Sequence, residues 1–188
     1  MRPDARLIPD EPNPYDSRAE LLLHLGRYRE AIAGYEQALE LNPNFPSAYV
    51  GIGHALIYLG KPEEARKAFV KLRYIARDEG ERRQAALWLA ASYLFEGDHG
   101  SAIAEIEKRL QAAREKGDLA AMSGDVELIA EVLVDAGRAD AAAARFDEAL
   151  ALLERTELPE AVKETGRVDY LLDMARVQLA RRDVAAAG

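Results

Sequence analysis

A segment near the start of the chain recurs 34 residues later. In both copies a glycine, Gly26 or Gly60, is followed five residues on by an alanine, and an aromatic residue stands four positions after that alanine. A fixed period of this length is typical of stacked supersecondary units, because one such unit cannot bury its apolar face alone. Stacked units build an extended surface, so the period favours recognition of a partner over catalysis.

The composition is that of a folded, helical chain. Hydrophobic residues make up 49% of the 188 residues, whereas glycine and proline are few and fall between the periodic runs. A disordered chain would lack this share of hydrophobic residues. Runs of β-branched residues with a period of two, which indicate strands, are missing from the sequence. We therefore expect an all-α fold with no β-sheet.

The chain is acidic, with a formal net charge of −8 at pH 7 and a pI near 5.0. Nucleic acid and anionic membranes bind to basic surfaces, so neither is an expected partner. The sequence contains no cysteine, which excludes disulfides and thiolate metal sites. Its N-terminus has no apolar signal region, and no run is long enough for a membrane span. As written, the sequence predicts a soluble, cytoplasmic protein.

This spacing resembles the tetratricopeptide repeat, whose pattern has an aromatic residue, a Leu-Gly pair, and then Tyr, Gly, Ala, an aromatic residue, Ala and Pro at set offsets. The first repeat departs from the pattern at the Leu-Gly pair, where Arg18 and Ala19 stand. It carries matching residues at Tyr15, Gly26, Tyr28, Ala31, Tyr35, Ala38 and Pro43. The resemblance implies a right-handed α-solenoid of antiparallel helix pairs that serves as a scaffold for protein–protein interaction.

The repeats fall at about residues 12–45, 46–82, 83–122 and 123–167, followed by a partial fifth repeat over residues 168–188. Residues 1–11 look like the tail of a preceding repeat or an N-terminal lead-in. A last first helix fits residues 168–181, and residues 183–188 look like the opening of a second helix. We expect the chain to be a segment of a longer protein, because arrays normally end in a polar capping helix. The alternative is a naturally short tail beside a ragged last helix.

Residue size predicts how the helices pack. Small residues let the two helices of a pair approach closely, and larger ones fill the space against the next repeat. The small residues are Gly53, Ala65, Ala90, Ala102, Ala130 and Ala142, and the larger ones are Tyr35, Phe69 and Phe146. A left-handed glycine is expected to end each of four first helices, at Gly26, Gly60, Gly97 and Gly137. Asp98 is expected to cap the helix that follows it.

The sequence shows no catalytic constellation. His24, His54 and His99 lie in different repeats, and none belongs to a His-Glu-x-x-His pair. A Gly-rich phosphate loop, a Gly-x-Ser-x-Gly elbow and an Asp-rich calcium loop are missing as well. We therefore expect that the protein is not an enzyme and has neither a cofactor nor a metal site.

In tetratricopeptide arrays, the first helices line a concave wall that binds the partner. Family members that hold the C-terminal carboxylate of heat-shock chaperones use Lys and Asn at two positions of the first repeat, where this chain has Asp16 and Glu20. Two carboxylates would repel that group, so the co-chaperone role is disfavoured. The residues expected to contact a partner are Glu20, His54, Tyr58, Trp88, Phe95, Glu127, Glu131 and Asp135.

Two features distinguish this wall. The aromatic residues Tyr58, Trp88 and Phe95 predict an apolar floor of the kind that recognition hot spots favour. The alternative is that Trp88 is buried between repeats, since its helix is apolar on all sides. Glu127, Glu131 and Asp135 recur every four residues and so share one helix face. This face favours a basic partner, and the alternative is a solvated acidic surface.

The sequence thus favours a non-catalytic scaffold that binds an extended, partly apolar and basic peptide or protein segment. Two other functions remain open. The chain could be the regulatory or substrate-recruiting part of a larger enzyme or signalling protein. It could also associate with itself, forming a homo-oligomer through an exposed terminal repeat.

Overall fold

The computed structural model describes the backbone of residues 11–187 and the side chains of residues 11–182. Within this range the chain forms nine α-helices and no strand, and loops of two to five residues join them. The helices are α1 (Asn13–His24), α2 (Tyr28–Leu41), α3 (Pro46–Tyr58), α4 (Pro62–Ile75), α5 (Glu79–Leu94), α6 (His99–Lys116), α7 (Leu119–Asp135), α8 (Ala139–Glu154) and α9 (Glu160–Ala187).

The described helices divide into two compact units. The N-terminal unit contains α1–α5 and extends to Gly97, and the C-terminal unit contains α6–α9 and starts at Asp98. In both units, helices that follow one another along the chain pack together. The division falls between the two helices of the third predicted repeat.

Left-handed glycines end the first helices, as the sequence predicts. Gly26, Gly60, Gly97 and Gly137 have φ angles of 74°, 72°, 72° and 70°. At Gly137 the turn is closed by two backbone hydrogen bonds, in which the Gly137 N–H donates to Val134 and the Arg138 N–H donates to Leu133. These bonds satisfy carbonyl groups that the helix end leaves without partners. A fifth left-handed glycine, Gly117, ends α6.

Aspartate side chains cap the N-termini of three helices. The Asp98 carboxylate accepts a hydrogen bond from the Ser101 backbone N–H at 2.9 Å, which confirms the predicted cap. Asp78 and Asp118 cap α5 and α7 in the same way. Each cap satisfies an N–H group that the first turn leaves without a helical partner. The caps thus fix where these helices begin.

In the N-terminal unit, two aromatic rings pack directly against glycine. Tyr35 on α2 lies over Gly51 on α3, and Phe69 on α4 lies over Gly53 on the same helix α3. A Cβ atom at either glycine would overlap the ring, so a larger residue could not occupy these positions without displacing it. The six small residues and three larger side chains expected to pack are buried, which confirms their predicted role. The sequence pattern does not predict the contact at Gly51.

The C-terminal unit contains a buried ion pair between neighbouring helices. The Arg109 guanidinium on α6 lies 2.9 Å from the Asp125 carboxylate on α7, and Asp125 is fully buried. Breaking such a pair leaves a charge in the interior, which is strongly destabilising. Asp125 therefore does not belong to the acidic surface of α7, although it is close in sequence to Glu127.

Several helix boundaries differ from those expected. α9 begins at Glu160 rather than Val168 and continues without a break to Ala187. The expected opening of a second helix at residues 183–188 is therefore wrong for residues 183–187, because no glycine or proline interrupts the chain between Gly166 and Gly188. α6 extends to Lys116, so the third repeat is longer than the first two because its second helix is longer. The lead-in at residues 1–11 falls almost wholly outside the described residues.

Two glycines of the C-terminal unit offer a matched test of the turn geometry. A Cβ atom at Gly137 or Gly124 would meet no other atom, but only Gly137 has a left-handed φ. Gly137→Ala should lower the free energy of unfolding by about 1 kcal/mol, because L residues are strained in this conformation. Gly124 lies within α7, so Gly124→Ala should raise the free energy of unfolding by up to about 1 kcal/mol. Urea denaturation of both variants measures the two changes. Changes of the same sign would contradict the left-handed turn assigned to Gly137.

Candidate partner-binding site

Aromatic side chains of the N-terminal unit enclose a pocket of about 270 Å³. Four of the predicted contact residues, three aromatic and one histidine, meet there: two lie on α3, one on α5 and one directly after α5. The pocket is lined by His54, Ile57 and Tyr58 on α3, Phe69 on α4, Trp88, Ala91 and Ser92 on α5, and Phe95 directly after α5. We call this the aromatic pocket. Its lining is largely apolar and therefore suits an apolar side chain.

Ring contacts fix the floor of the aromatic pocket. Trp88 stacks on buried Phe69, with ring centroids 6.3 Å apart and an interplanar angle of 21°. The His54 ring meets Trp88 edge to face at 4.4 Å. Such arrangements are favourable beyond the area that the rings bury. Trp88 is thus held in place by packing and is half-buried where it lines the pocket, and its role in binding stays a prediction.

The rim of the aromatic pocket is exposed. Tyr58 is 62% exposed and Phe95 is 68% exposed. The Tyr58 ring stacks on Tyr28 of α2 at a centroid distance of 5.1 Å, which orients it at the edge of the pocket. Large aromatic residues at the surface are typical of sites that are covered by a partner.

A second groove of about 320 Å³ lies next to the aromatic pocket and shares His54 with it. Its lining comes from α1, α2 and α3 and consists of Asp16, Glu20, Leu23, His24, Tyr35, Ser47, Val50, Gly51 and His54. We call this the acidic groove, because both of its carboxylates lie on α1 and no lysine or arginine lines it. The predicted contact residue Glu20 lies here.

The ionisation of these groups follows from their burial. Burial raises the pKa of the Asp16 carboxyl, a hydrogen bond from Ser47 partly opposes this, and nearby Glu20 raises it further. The Ser47 hydroxyl donates that bond at 2.9 Å. Burial, followed by the charges of Asp16 and Glu20, raises the pKa of Tyr35 to about 12. Burial lowers the pKa of His54, so its imidazole is neutral at pH 7.

The remaining predicted residues lie on α7 in the C-terminal unit. Glu127 and Glu131 are half-buried, and Asp135 is exposed. α9 packs against this region and adds two carboxylates, Asp169 and Asp173, that sequence reasoning missed. Their spacing of four residues is the signal that could have found them.

Burial and like charges raise the pKa values of both glutamates. For Glu127 the cause is burial first and then the charges of Glu131, Asp173 and Asp169. For Glu131 it is burial and Asp173, which Arg176 partly opposes. A raised carboxyl pKa means that the folded state disfavours the ionised form. As the pH rises from the pKa of the unfolded state through the pKa of the folded state, ionisation therefore lowers the stability of the fold.

Replacing Glu131 by glutamine should therefore stabilise the protein at pH 7. Glu131→Gln removes a charge that the folded state penalises, so the free energy of unfolding should rise. The gain should vanish well below pH 4.5, the ordinary pKa of a glutamate, because the carboxyl is then protonated in both states. Glu107→Gln, at an exposed position of α6, is the matched control. Thermal unfolding at several pH values measures the difference, and a gain that persists at low pH would contradict the explanation.

The eight predicted contact residues thus separate into two groups. His54, Tyr58, Trp88 and Phe95 come together in the aromatic pocket, and Glu20 lies in the neighbouring acidic groove. Glu127, Glu131 and Asp135 belong to the C-terminal unit. Among residues 11–182, no group of three or more His, Asp or Glu side chains could hold a metal ion. None of the described helices is long and apolar enough to cross a membrane.

Short helices joined by glycine turns, with small residues where the helices cross, define a helical-repeat protein. Residues 19–60 match the family described as TPR repeat, and residues 50–118 match the family described as Tetratricopeptide repeat. Together the two matches span more than half of the chain. The chain belongs to the tetratricopeptide-repeat family, which confirms the resemblance seen in the sequence.

Two curated proteins show the extent of the similarity. The protein O-mannosyl-transferase TMTC3 of Mus musculus is 32% identical over 92 residues, which cover 48% of this chain and 10% of that protein. The small glutamine-rich tetratricopeptide repeat-containing protein 2 of Mycosarcoma maydis is 35% identical over 65 residues, covering 35% of this chain and 18% of that protein. The chain therefore spans only a small part of the length of these relatives.

Solved structures of repeat proteins resemble the fold. The nearly identical TPR-like repeats of Podosopora anserina superpose with a TM-score of 0.64 at 17% identity, covering 93% of this chain and 89% of that one. YrrB, a TPR protein with an unusual peptide-binding site, gives a TM-score of 0.53 at 19% identity, covering 93% and 88%. Identities this low compare folds alone, and they confirm the predicted all-α solenoid.

Proposed function

We propose that this protein is a non-catalytic scaffold that binds a peptide or protein segment along α1, α3 and α5, the first helices of its N-terminal repeats. The aromatic pocket carries the proposal. Its floor is fixed by ring packing, while Tyr58 and Phe95 remain exposed at its rim. A rigid apolar recess with an exposed aromatic rim is the arrangement that anchors partner side chains in protein interfaces.

The partner is an extended segment that is partly apolar and partly basic. The aromatic pocket suits an apolar side chain, and the neighbouring acidic groove repels anionic groups. The family supports this type of function, and the structural neighbour YrrB is described as having a peptide-binding site. The chaperone-carboxylate role is disfavoured, because Asp16 and Glu20 both line the groove where that carboxylate would be held.

The rim residues provide the test of the aromatic pocket. Peptides selected from a phage-displayed 12-residue library on the full chain serve as probes, with affinities measured by calorimetry. Phe95→Ala and Tyr58→Ala should each weaken binding about tenfold or more, because the exposed rim would be covered by the peptide. Tyr74→Ala is the matched control, since Tyr74 is 86% exposed on α4 and does not line the pocket.

The outcome of this comparison decides the proposal. Equal affinities of the Phe95→Ala and Tyr74→Ala variants would show that the peptides bind elsewhere. The single tryptophan of the chain, Trp88, gives a second readout, because its intrinsic fluorescence reports directly on the pocket. Peptides that bind without changing this fluorescence would also contradict the proposal.

A second candidate function is self-association through α9. This helix packs against α8 and α7, but large apolar side chains remain exposed on it, among them Val168, Leu171, Leu172 and Leu179. Their spacing of three, four and seven residues places them along one stripe of the helix. A second copy of the chain could cover this stripe, as could a further segment of a longer protein. The matched relatives are indeed much longer than this chain, which keeps a regulatory role within a larger protein open.

Light scattering across concentration tests self-association. The wild-type chain should shift from monomer to dimer as its concentration rises, because apolar burial would offset the cost of association. Leu171→Glu combined with Leu172→Glu should keep it monomeric at all concentrations. Leu21→Glu, at an exposed leucine of α1, is the control and should leave the shift unchanged. A wild-type chain that stays monomeric would exclude this function.

A further inference from the structure

Among the described residues, no lysine or arginine lines the groove that holds the carboxylates of Asp16 and Glu20. Asp16 and Glu20 are one helical turn apart on α1 and both line the groove, yet neither forms an ion pair with any described residue. Within the described part of the chain, the one hydrogen bond to them comes from the neutral Ser47 hydroxyl. Like charges at this spacing repel and do not stabilise the helix. The negative charge at this place is therefore not explained by the stability of the fold.

Tyr35 adds an independent observation at the same place. The residue is only 3% exposed and its ring is fixed against Gly51, but it lines the acidic groove. Its hydroxyl has no hydrogen-bond partner among the described residues. Tyr35 lines the groove, and its hydroxyl is not among the buried side-chain atoms left without a partner, so the hydroxyl is reachable from the groove. A ligand seated there can therefore donate a hydrogen bond to it.

We propose that the acidic groove is a binding subsite for a cationic side chain of the partner, an alkylammonium group as in lysine or a guanidinium group as in arginine. This inference rests on the proposed function and assigns the basic side chain of the partner to the acidic groove. Asp16 and Glu20 supply the negative charge, and Ser47 orients Asp16. The Tyr35 hydroxyl accepts a hydrogen bond from the cation, which has only donors to offer.

The position of His54 between the two recesses limits how far apart the basic and apolar residues of the partner can be. His54 lines both the acidic groove and the aromatic pocket, so the two recesses are separated by one side chain. A segment that fills both would carry its basic residue within a few positions of an apolar residue. The ligand preference is thus opposite in sign to that of the carboxylate-binding members of the family, since the charge of the groove is reversed.

Small cations test the subsite without a known partner. The probes are n-butylammonium and n-propylguanidinium, which represent lysine and arginine side chains, and n-butanol is the neutral control. Nuclear magnetic resonance of the 15N-labelled full chain at constant ionic strength follows the amides of Ser47 and Gly51 in the acidic groove. The cations should shift both signals saturably, with at least about tenfold tighter binding than n-butanol. The stronger of the two cations identifies the preferred side chain.

Matched variants locate the binding. Asp16→Asn combined with Glu20→Gln should weaken cation binding about tenfold or more, and Tyr35→Phe should weaken it less. Asn at position 16 can still accept the bond from Ser47, and Phe at position 35 retains the packing on Gly51, so the fold should be kept. Glu36→Gln combined with Glu40→Gln is the control, because these exposed glutamates have the same spacing on α2. Circular dichroism confirms folding of each variant.

The results separate this inference from the proposed function. Shifts no larger than those caused by sodium chloride, or equal losses in the two double variants, would overturn the cation subsite. If the selected peptides bind at the aromatic pocket but the Asp16→Asn, Glu20→Gln variant binds them equally well, the proposed function stands and the subsite is wrong. If the small cations bind as expected but no peptide perturbs Trp88, the subsite stands and the proposed function is wrong.

Discussion

The contact of an aromatic ring with a glycine in a neighbouring helix is the constraint on which the N-terminal unit depends. Tyr35 lies over Gly51 and Phe69 lies over Gly53, so both rings reach the space between neighbouring helices. The same rings then form part of the two recesses, because Phe69 supports Trp88 and Tyr35 lines the acidic groove. The same side chains thus pack the helices and shape the two recesses, so the recesses are held by the helix contacts themselves.

Both units keep carboxylates where the fold disfavours their charge. In the N-terminal unit burial raises the pKa of Asp16, and in the C-terminal unit it raises the pKa values of Glu127 and Glu131. Natural proteins are only marginally stable, so a carboxylate that lowers the free energy of unfolding calls for a reason other than stability. In the acidic groove this cost is combined with a tyrosine that lines the groove and with an adjoining apolar pocket, and no such combination occurs around Glu127 and Glu131 among the described residues.

The features predicted correctly from the sequence depend on one residue type at a fixed offset. They include the glycine turns, the Asp98 cap and the small residues at helix crossings. They also include the shared pocket that Trp88 and Tyr58 line. The features that were missed depend on a particular neighbour. Burial of Asp125 requires Arg109 on another helix, the close approach at Gly51 requires Tyr35, and the extra carboxylates near Glu127 come from α9. Periodicity cannot reveal such pairs, because it describes one helix at a time.

The packing of Tyr35 on Gly51 also limits how this surface can diversify. No side chain larger than hydrogen fits at position 51 while the ring stays in place, so the floor of the acidic groove has almost no freedom to vary. Glu20 on α1 is exposed, and Asp16 is half-buried and bonded to Ser47, so neither position is fixed by a ring contact like that at Gly51. New ligand preferences would therefore arise by exchanging the α1 side chains above an unchanged floor. Under the proposed cation subsite, two substitutions on α1 would reverse the sign of the charge that the groove binds without altering the scaffold.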